Sequence, residues 1–168
     1  MKISFAAAPS ADARVIAKPV NQDSSLAGLD AALVEGAKAT RFSGKSAQLF
    51  EGFVSADGKV VRTILLGAGD AADAGRAGNV EKAGAALTAK LLTSGETSVT
   101  IDCTGSNLTA ADVASLALGA RLRAWRHDGY RTTMKDDQKP SLAEVIFVGA
   151  PEGSEAAWGI ESSIAEGV

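Results

Sequence analysis

Gln48-Leu49-Phe50-Glu51-Gly52-Phe53-Val54 and Val60-Val61-Arg62-Thr63-Ile64-Leu65-Leu66 are two extended apolar runs, joined by Ser55-Ala56-Asp57-Gly58-Lys59. The Asp-Gly pair tolerates positive φ at the centre of a tight turn, so the runs read as an antiparallel hairpin. On the N-terminal side, Ile3 to Ala7 reads as a short strand and Val15 to Val20 as a second. Asp23-Ser24-Ser25 is placed to cap a helix whose Leu26, Leu29, Leu33 and Ala37 recur at helical spacing. On the C-terminal side a helix is expected from about Ala77 to Leu92, with Val80, Ala83, Leu87 and Leu91 on one face. Gly84 falls on that stripe, where it lets a neighbouring element come close.

Val99 to Cys103 is a β-branched strand, and Thr109 with Asp112 makes a capping-box variant. The helix it opens has Val113, Leu116, Ala117, Ala120 and Ala124 on its stripe, with Arg123 and Arg126 in its last turns. Asp128 to Pro140 reads as a loop, Leu142 to Val148 as a last strand, and Ser154 to Ile164 as a last helix with Ala157, Ile160 and Ile164 together. Strands alternating with helices predict an α/β three-layer sandwich with helices on both faces, and the hairpin makes the sheet mixed. No linker, low-complexity tract or internal repeat divides the chain, so residues 1–168 are expected to form a single domain.

Composition narrows the function classes without choosing among them. The chain has 168 residues, is 46% hydrophobic and 22% charged, and has net charge −3, which excludes disordered, collagenous and coiled-coil classes. One cysteine and one histidine exclude a disulfide framework and a structural zinc site of the Cys/His type. The weak negative charge exerts no general pull on nucleic acid or membrane. Met1-Lys2 with Ile3 to Ala8 imitates a signal peptide, with Ala11-Asp12-Ala13 as cleavage site, but the apolar stretch stops at Pro9, short of the roughly 7–15 residues required. No apolar run approaches the ~20 residues of a membrane span. A soluble cytoplasmic protein is expected.

Few residues offer themselves for chemistry. Gly67-Ala68-Gly69-Asp70-Ala71-Ala72 matches a relaxed dinucleotide fingerprint between a strand and a helix. Asp70 and Asp73 oppose a phosphate there, and no acidic residue ends a strand about twenty residues on; a tight turn is the expectation. Gly44-Lys45-Ser46 is the tail of a phosphate-binding loop whose earlier glycine is replaced by Ala39. Cys103 and His127 form a nominal nucleophile–base pair, but the thiol ends an apolar strand, where a buried structural cysteine is expected. Arg121, Arg123, Arg126, His127, Arg131 and Lys135, with Trp125 and Tyr130 interleaved, are the one basic concentration. The arginines do not share a helical face, so a structural or subunit-contact role is expected, with Trp125 four residues after Arg121 as a cation–π partner. Asp136-Asp137 reads as a solvated loop pair, and no Gly-x-Ser-x-Gly elbow occurs.

Three blocks in order are more specific than any of these. Arg41-Phe42-Ser43-Gly44-Lys45-Ser46-Ala47-Gln48 resembles F-x-G-K-x-G-Q, and Ile64-Leu65-Leu66-Gly67-Ala68-Gly69 resembles L-L-V-G-L-G. Ala117 to Arg131 resembles a helix ending near Y-R-F-D-x-Y-K. Together they resemble the N-terminal domain of the leucyl (cytosol) aminopeptidase family of metallopeptidases. Ala47 stands for that family's usual glycine, Ala68 for its leucine and His127 for its phenylalanine.

The resemblance implies a macro-domain-like α/β fold. It also implies a hexameric, metal-dependent exopeptidase whose two divalent ions, Mn or Zn, and catalytic residues belong to a C-terminal domain. The family signature resembling N-T-D-A-E-G-R does not occur, and the sequence stops at Ala165-Glu166-Gly167-Val168, about where the family passes into that domain. A part of a larger protein is therefore expected. No catalytic, cofactor-binding or metal-ligating residue carries over to this chain. Its expected partners are its own catalytic domain and further subunits; peptide substrates act on that other domain, and neither nucleic acid nor membrane is expected. The alternative is a stand-alone macro-like module holding ADP-ribose or another nucleotide at residues 67–69.

Overall fold

The computed structural model describes residues 1–128 and 139–166, with the backbone alone described at 56, 126–128 and 164–166. In chain order these residues form β1 (Lys2–Ala6), β2 (Val15–Asn21), α1 (Ala31–Ala39), β3 (Leu49–Ala56), β4 (Lys59–Gly69), α2 (Arg76–Leu91), β5 (Ser98–Asp102), α3 (Ala110–Asp128), β6 (Glu144–Val148) and α4 (Ser154–Glu166). The strands build one six-stranded sheet in the order β1-β6-β5-β2-β4-β3. All neighbours are parallel except the β3–β4 pair, so the sheet is mixed. Asp57 and Gly58 have φ of 51° and 76°, which suits a tight hairpin turn between twisted strands.

Period-two alternation assigns each strand residue to a face. Ile64, Leu66, Ala17, Ile101, Val145 and Phe147 join the main core with Leu87 of α2, Leu116 of α3 and Trp158 of α4. Leu65 and Val20 point the other way, into a smaller core with Leu33 and Ala37 of α1. Both faces of β4 are thus buried, which explains its continuous apolar run. On the main face α2 and α3 approach until their backbones touch. A Cβ on Gly84 would meet the Leu116 carbonyl, and one on Gly119 would meet the Glu81 carbonyl. The expected capping box closes reciprocally: Asp112 N–H donates to Thr109 Oγ1 at 3.1 Å and Thr109 N–H to Asp112 Oδ2 at 3.0 Å.

Two expectations need correction. The first helix does not start after Asp23-Ser24-Ser25. Asp23 at φ 62° and Gly28 at φ 89° turn the chain out of the helical path, and Asp30 is the cap, accepting from Ala32 and Leu33 N–H. Leu26 and Leu29 pack partly buried against the smaller core from the preceding segment. In α4 the inward stripe is Ser154 and Trp158, whereas Ile160 is 66% exposed. The helix is rotated so that its largest apolar side chain meets α3. The side chain of Ile164 and the loop expected at 129–138 lie outside the described residues.

Candidate functional site

The first two sequence blocks meet at the C-terminal end of the sheet and consume each other's hydrogen bonds. In segment 43–48 the Gln48 side-chain oxygen accepts from the N–H groups of Ser43, Gly44 and Lys45 at 3.0, 3.2 and 3.3 Å. Those are the amides a phosphate loop would offer to an anion; here a glutamine fills the nest. The segment lies against residues 67–69: Gly67 N–H donates to the Gln48 carbonyl, Gly69 N–H to the Gly44 carbonyl, and Ala47 N–H to the Gly67 carbonyl. A Cβ on Gly67 would fall on the Lys45 carbonyl. The glycine-rich turn is therefore a packing surface for its neighbour, and its amides do not face a ligand.

Arg76, the first residue of α2, locks this arrangement from beneath. Its Nη1 donates to the Ala68 and Gly69 carbonyls at 3.0 Å each, and its Nη2 to Asn21 Oδ1 at 2.5 Å. Nε and Nη2 make a fork with the Asp112 carboxylate, both at 3.1 Å. The side chains are only 14% and 10% exposed, so each charge depends on the other for its solvation. Burial opposes ionisation of Asp112, but the hydrogen bonds from Arg76 and Thr109 outweigh it and hold the carboxyl below its usual range. One arginine thus joins the ends of β2 and β4 to the starts of α2 and α3.

Beside this lock lies a crevice between the ends of β2 and β5. Ala17 and Ile101 are paired in register and face the main core, so the next residues, Lys18 and Asp102, face the opposite side. Their charges meet at 3.4 Å, with side chains 33% and 18% exposed. Burial raises the pKa of Asp102, but the Thr104 N–H and hydroxyl together with Lys18 bring it net below its usual value. From β2 the chain passes to α1 on one face, and from β5 to α3 on the other, so the strands diverge at a topological switch point, where open α/β sheets bind ligands. The cavity measures about 440 Å³ and is walled by segments 24–29 and 104–107. Sequence reading missed it, because strand order brings Lys18 and Asp102 together across 84 residues.

Among the described residues, those flagged for chemistry do not assemble into one site. Cys103 is buried in the main core, and burial with the nearby Asp102 charge pushes its thiol up to about 12, so it carries no thiolate near neutrality. The side chains of Arg126 and His127, and all of Tyr130, Arg131, Lys135 and Asp136-Asp137, lie outside the described residues. Arg121 does make a cation–π contact, but with Trp158 of α4, 5.9 Å from the ring centroid, and it donates to Ser162 Oγ at 3.1 Å. Trp125 is 72% exposed. The parallel helix α4 brings the better partner, against the expectation from i, i+4 spacing. Among the described residues no three His, Cys, Asp or Glu side chains converge to hold a metal ion, and the high thiol pKa of Cys103 makes it a poor ligand. No helix among the described residues is long and apolar enough to cross a membrane.

The family model described as the N-terminal domain of the cytosol aminopeptidase family matches residues 16–134. A probable cytosol aminopeptidase of Sinorhizobium fredii (strain NBRC 101917 / NGR234) is 34% identical over 140 residues, covering 81% of this chain and 28% of the relative. One of Rhizobium etli (strain CIAT 652) is 34% identical over 139 residues, with the same coverage of both chains. The chain thus spans less than a third of the length of these relatives. Among solved structures, a point mutant of tomato leucine aminopeptidase superposes with a TM-score of 0.71 at 18% identity, covering 99% of this chain and 36% of that one. The bottromycin maturation enzyme BotP in complex with Mn gives 0.64 at 24% identity, covering 92% and 30%. At these identities the structural likeness speaks for the fold.

Proposed function

The chain belongs to the cytosol aminopeptidase family, matching its N-terminal domain, and from that premise we propose that residues 1–168 are one non-catalytic accessory domain of a leucyl aminopeptidase. The whole protein is read as a cytoplasmic exopeptidase that releases N-terminal amino acids from peptides. Its two divalent metal ions, Mn or Zn, and its reacting groups belong to a C-terminal domain, and this domain aids hexamer assembly and substrate access. The observation that carries this reading is the family match to an N-terminal domain. The relatives' greater length supports a further domain. Nucleotide binding at residues 67–69 is disfavoured, because the amides of Gly67 and Gly69 already donate to Gln48 and Gly44.

The reading is tested by expressing the full reading frame that contains this chain. A product with metal-dependent leucine anilide hydrolysis and a hexameric mass by light scattering is expected. A reading frame without a metallopeptidase region, or a monomeric active product, contradicts the domain role or the assembly role respectively.

A further inference from the structure

We propose that the crevice between β2 and β5 binds the zwitterion of a free α-amino acid with an apolar side chain. Its floor carries one cation and one carboxylate side by side, Lys18 and Asp102. A pyrophosphate or other net anion meets repulsion from Asp102, and a net cation meets it from Lys18. A wholly apolar ligand would strip water from both charges and give nothing back. A molecule with an ammonium and a carboxylate on one carbon satisfies both at once, its ammonium on Asp102 and its carboxylate on Lys18. The N–H groups of Gly105 and Asn107 have no hydrogen-bond partner among the described residues, and both residues line the crevice. They supply further donors to the ligand carboxylate. The opposite wall offers Leu26 and Leu29, which are only partly buried, as the seat for an apolar side chain. The volume of about 440 Å³ lies in the range of small-molecule sites, roughly 300–1,000 Å³. The inference stands on this crevice alone and does not rest on the accessory-domain reading, because binding is measured on this chain whatever its parent hydrolyses.

Calorimetric titration of the 168-residue chain with L-leucine is the test. Saturable one-to-one binding is expected, weakened at least tenfold for N-acetyl-leucine, which lacks the ammonium, and for leucine amide, which lacks the carboxylate. Glycine binds at least several-fold more weakly than leucine, because it offers Leu26 and Leu29 no side chain, and glycine binding equal to leucine overturns the proposal. Asp102→Asn and Lys18→Met each reduce leucine affinity at least tenfold; the blocked ligands make the same test on unaltered protein should either variant fail to fold. No leucine binding at millimolar concentration, equal binding of N-acetyl-leucine, or displacement of leucine by ADP-ribose overturns the proposal.

Discussion

Ala47 adopts φ 66°, a left-handed conformation that costs an L-residue roughly 1–2 kcal/mol. The related family carries glycine at this place in the first block, and the structure supplies the reason: the chain must turn sharply for Ala47 N–H to reach the Gly67 carbonyl. Ala47→Gly is expected to stabilise the protein by about 0.5–1 kcal/mol, after glycine's larger unfolded-state entropy is subtracted; chemical denaturation with an unchanged m-value reads it. Gly67 shows the complementary case. The sequence places it in a tight turn, but its φ lies outside the left-handed region, and its constraint is the carbonyl of Lys45 lying where a Cβ would stand, a contact made by distant chain. At Arg76 and Asp112 the constraint is electrostatic. Arg76→Met leaves Asp112 buried without its partner and is expected to cost about 3 kcal/mol. Asp112 has a folded pKa below its ordinary value of 3.8, so its contribution is present above that value and lost as pH falls through the folded pKa. Acid titration of stability therefore shows a fall that is smaller in Asp112→Asn.

Elements with strong local signals were legible, and those set by a tertiary partner were not. The turn at Asp57-Gly58, the Thr109/Asp112 cap and the stripes of α2 and α3 are encoded within a few residues, and each is found where the sequence puts it. The start of α1 is not legible, because Asp23-Ser24-Ser25 offers a cap ahead of Asp30 and only the backbone at Asp23 and Gly28 decides between them. The face of α4 is not legible from its own stripe, because Trp158 outweighs Ile160 once α3 supplies Arg121 beneath its ring. Gly84 was read as a place of close approach, and α3 is what approaches. Gly84→Ala is expected to cost about 3 kcal/mol, the upper end of overpacking, because the obstructing atom is backbone at Leu116. A melting-temperature comparison with Gly78→Ala, where nothing stands in the way, isolates the contact from the gain in helix propensity.

For the whole molecule, fold class was readable from alternation of strands and helices, whereas strand order was not. No local pattern says that β5 lies beside β2 or that β1 pairs with β6, and the switch-point crevice exists only through that order. The sequence blocks that carry the family resemblance turn out to interlock in part: the first seats on the second, and Arg76 fastens the second to the cap of α3. Such mutual consistency of caps, turns and cores predicts a cooperative thermal transition for the isolated chain; a broad melt with strong dye binding would show that the cores need a further domain. As an accessory domain, this chain would pack against its neighbours without hydrolysing peptides. The most direct test is leucine anilide turnover by the purified 168-residue chain with Mn²⁺ or Zn²⁺ added. A rate indistinguishable from buffer is expected with either ion, and metal-dependent turnover that copurifies with the homogeneous chain would contradict a non-catalytic role.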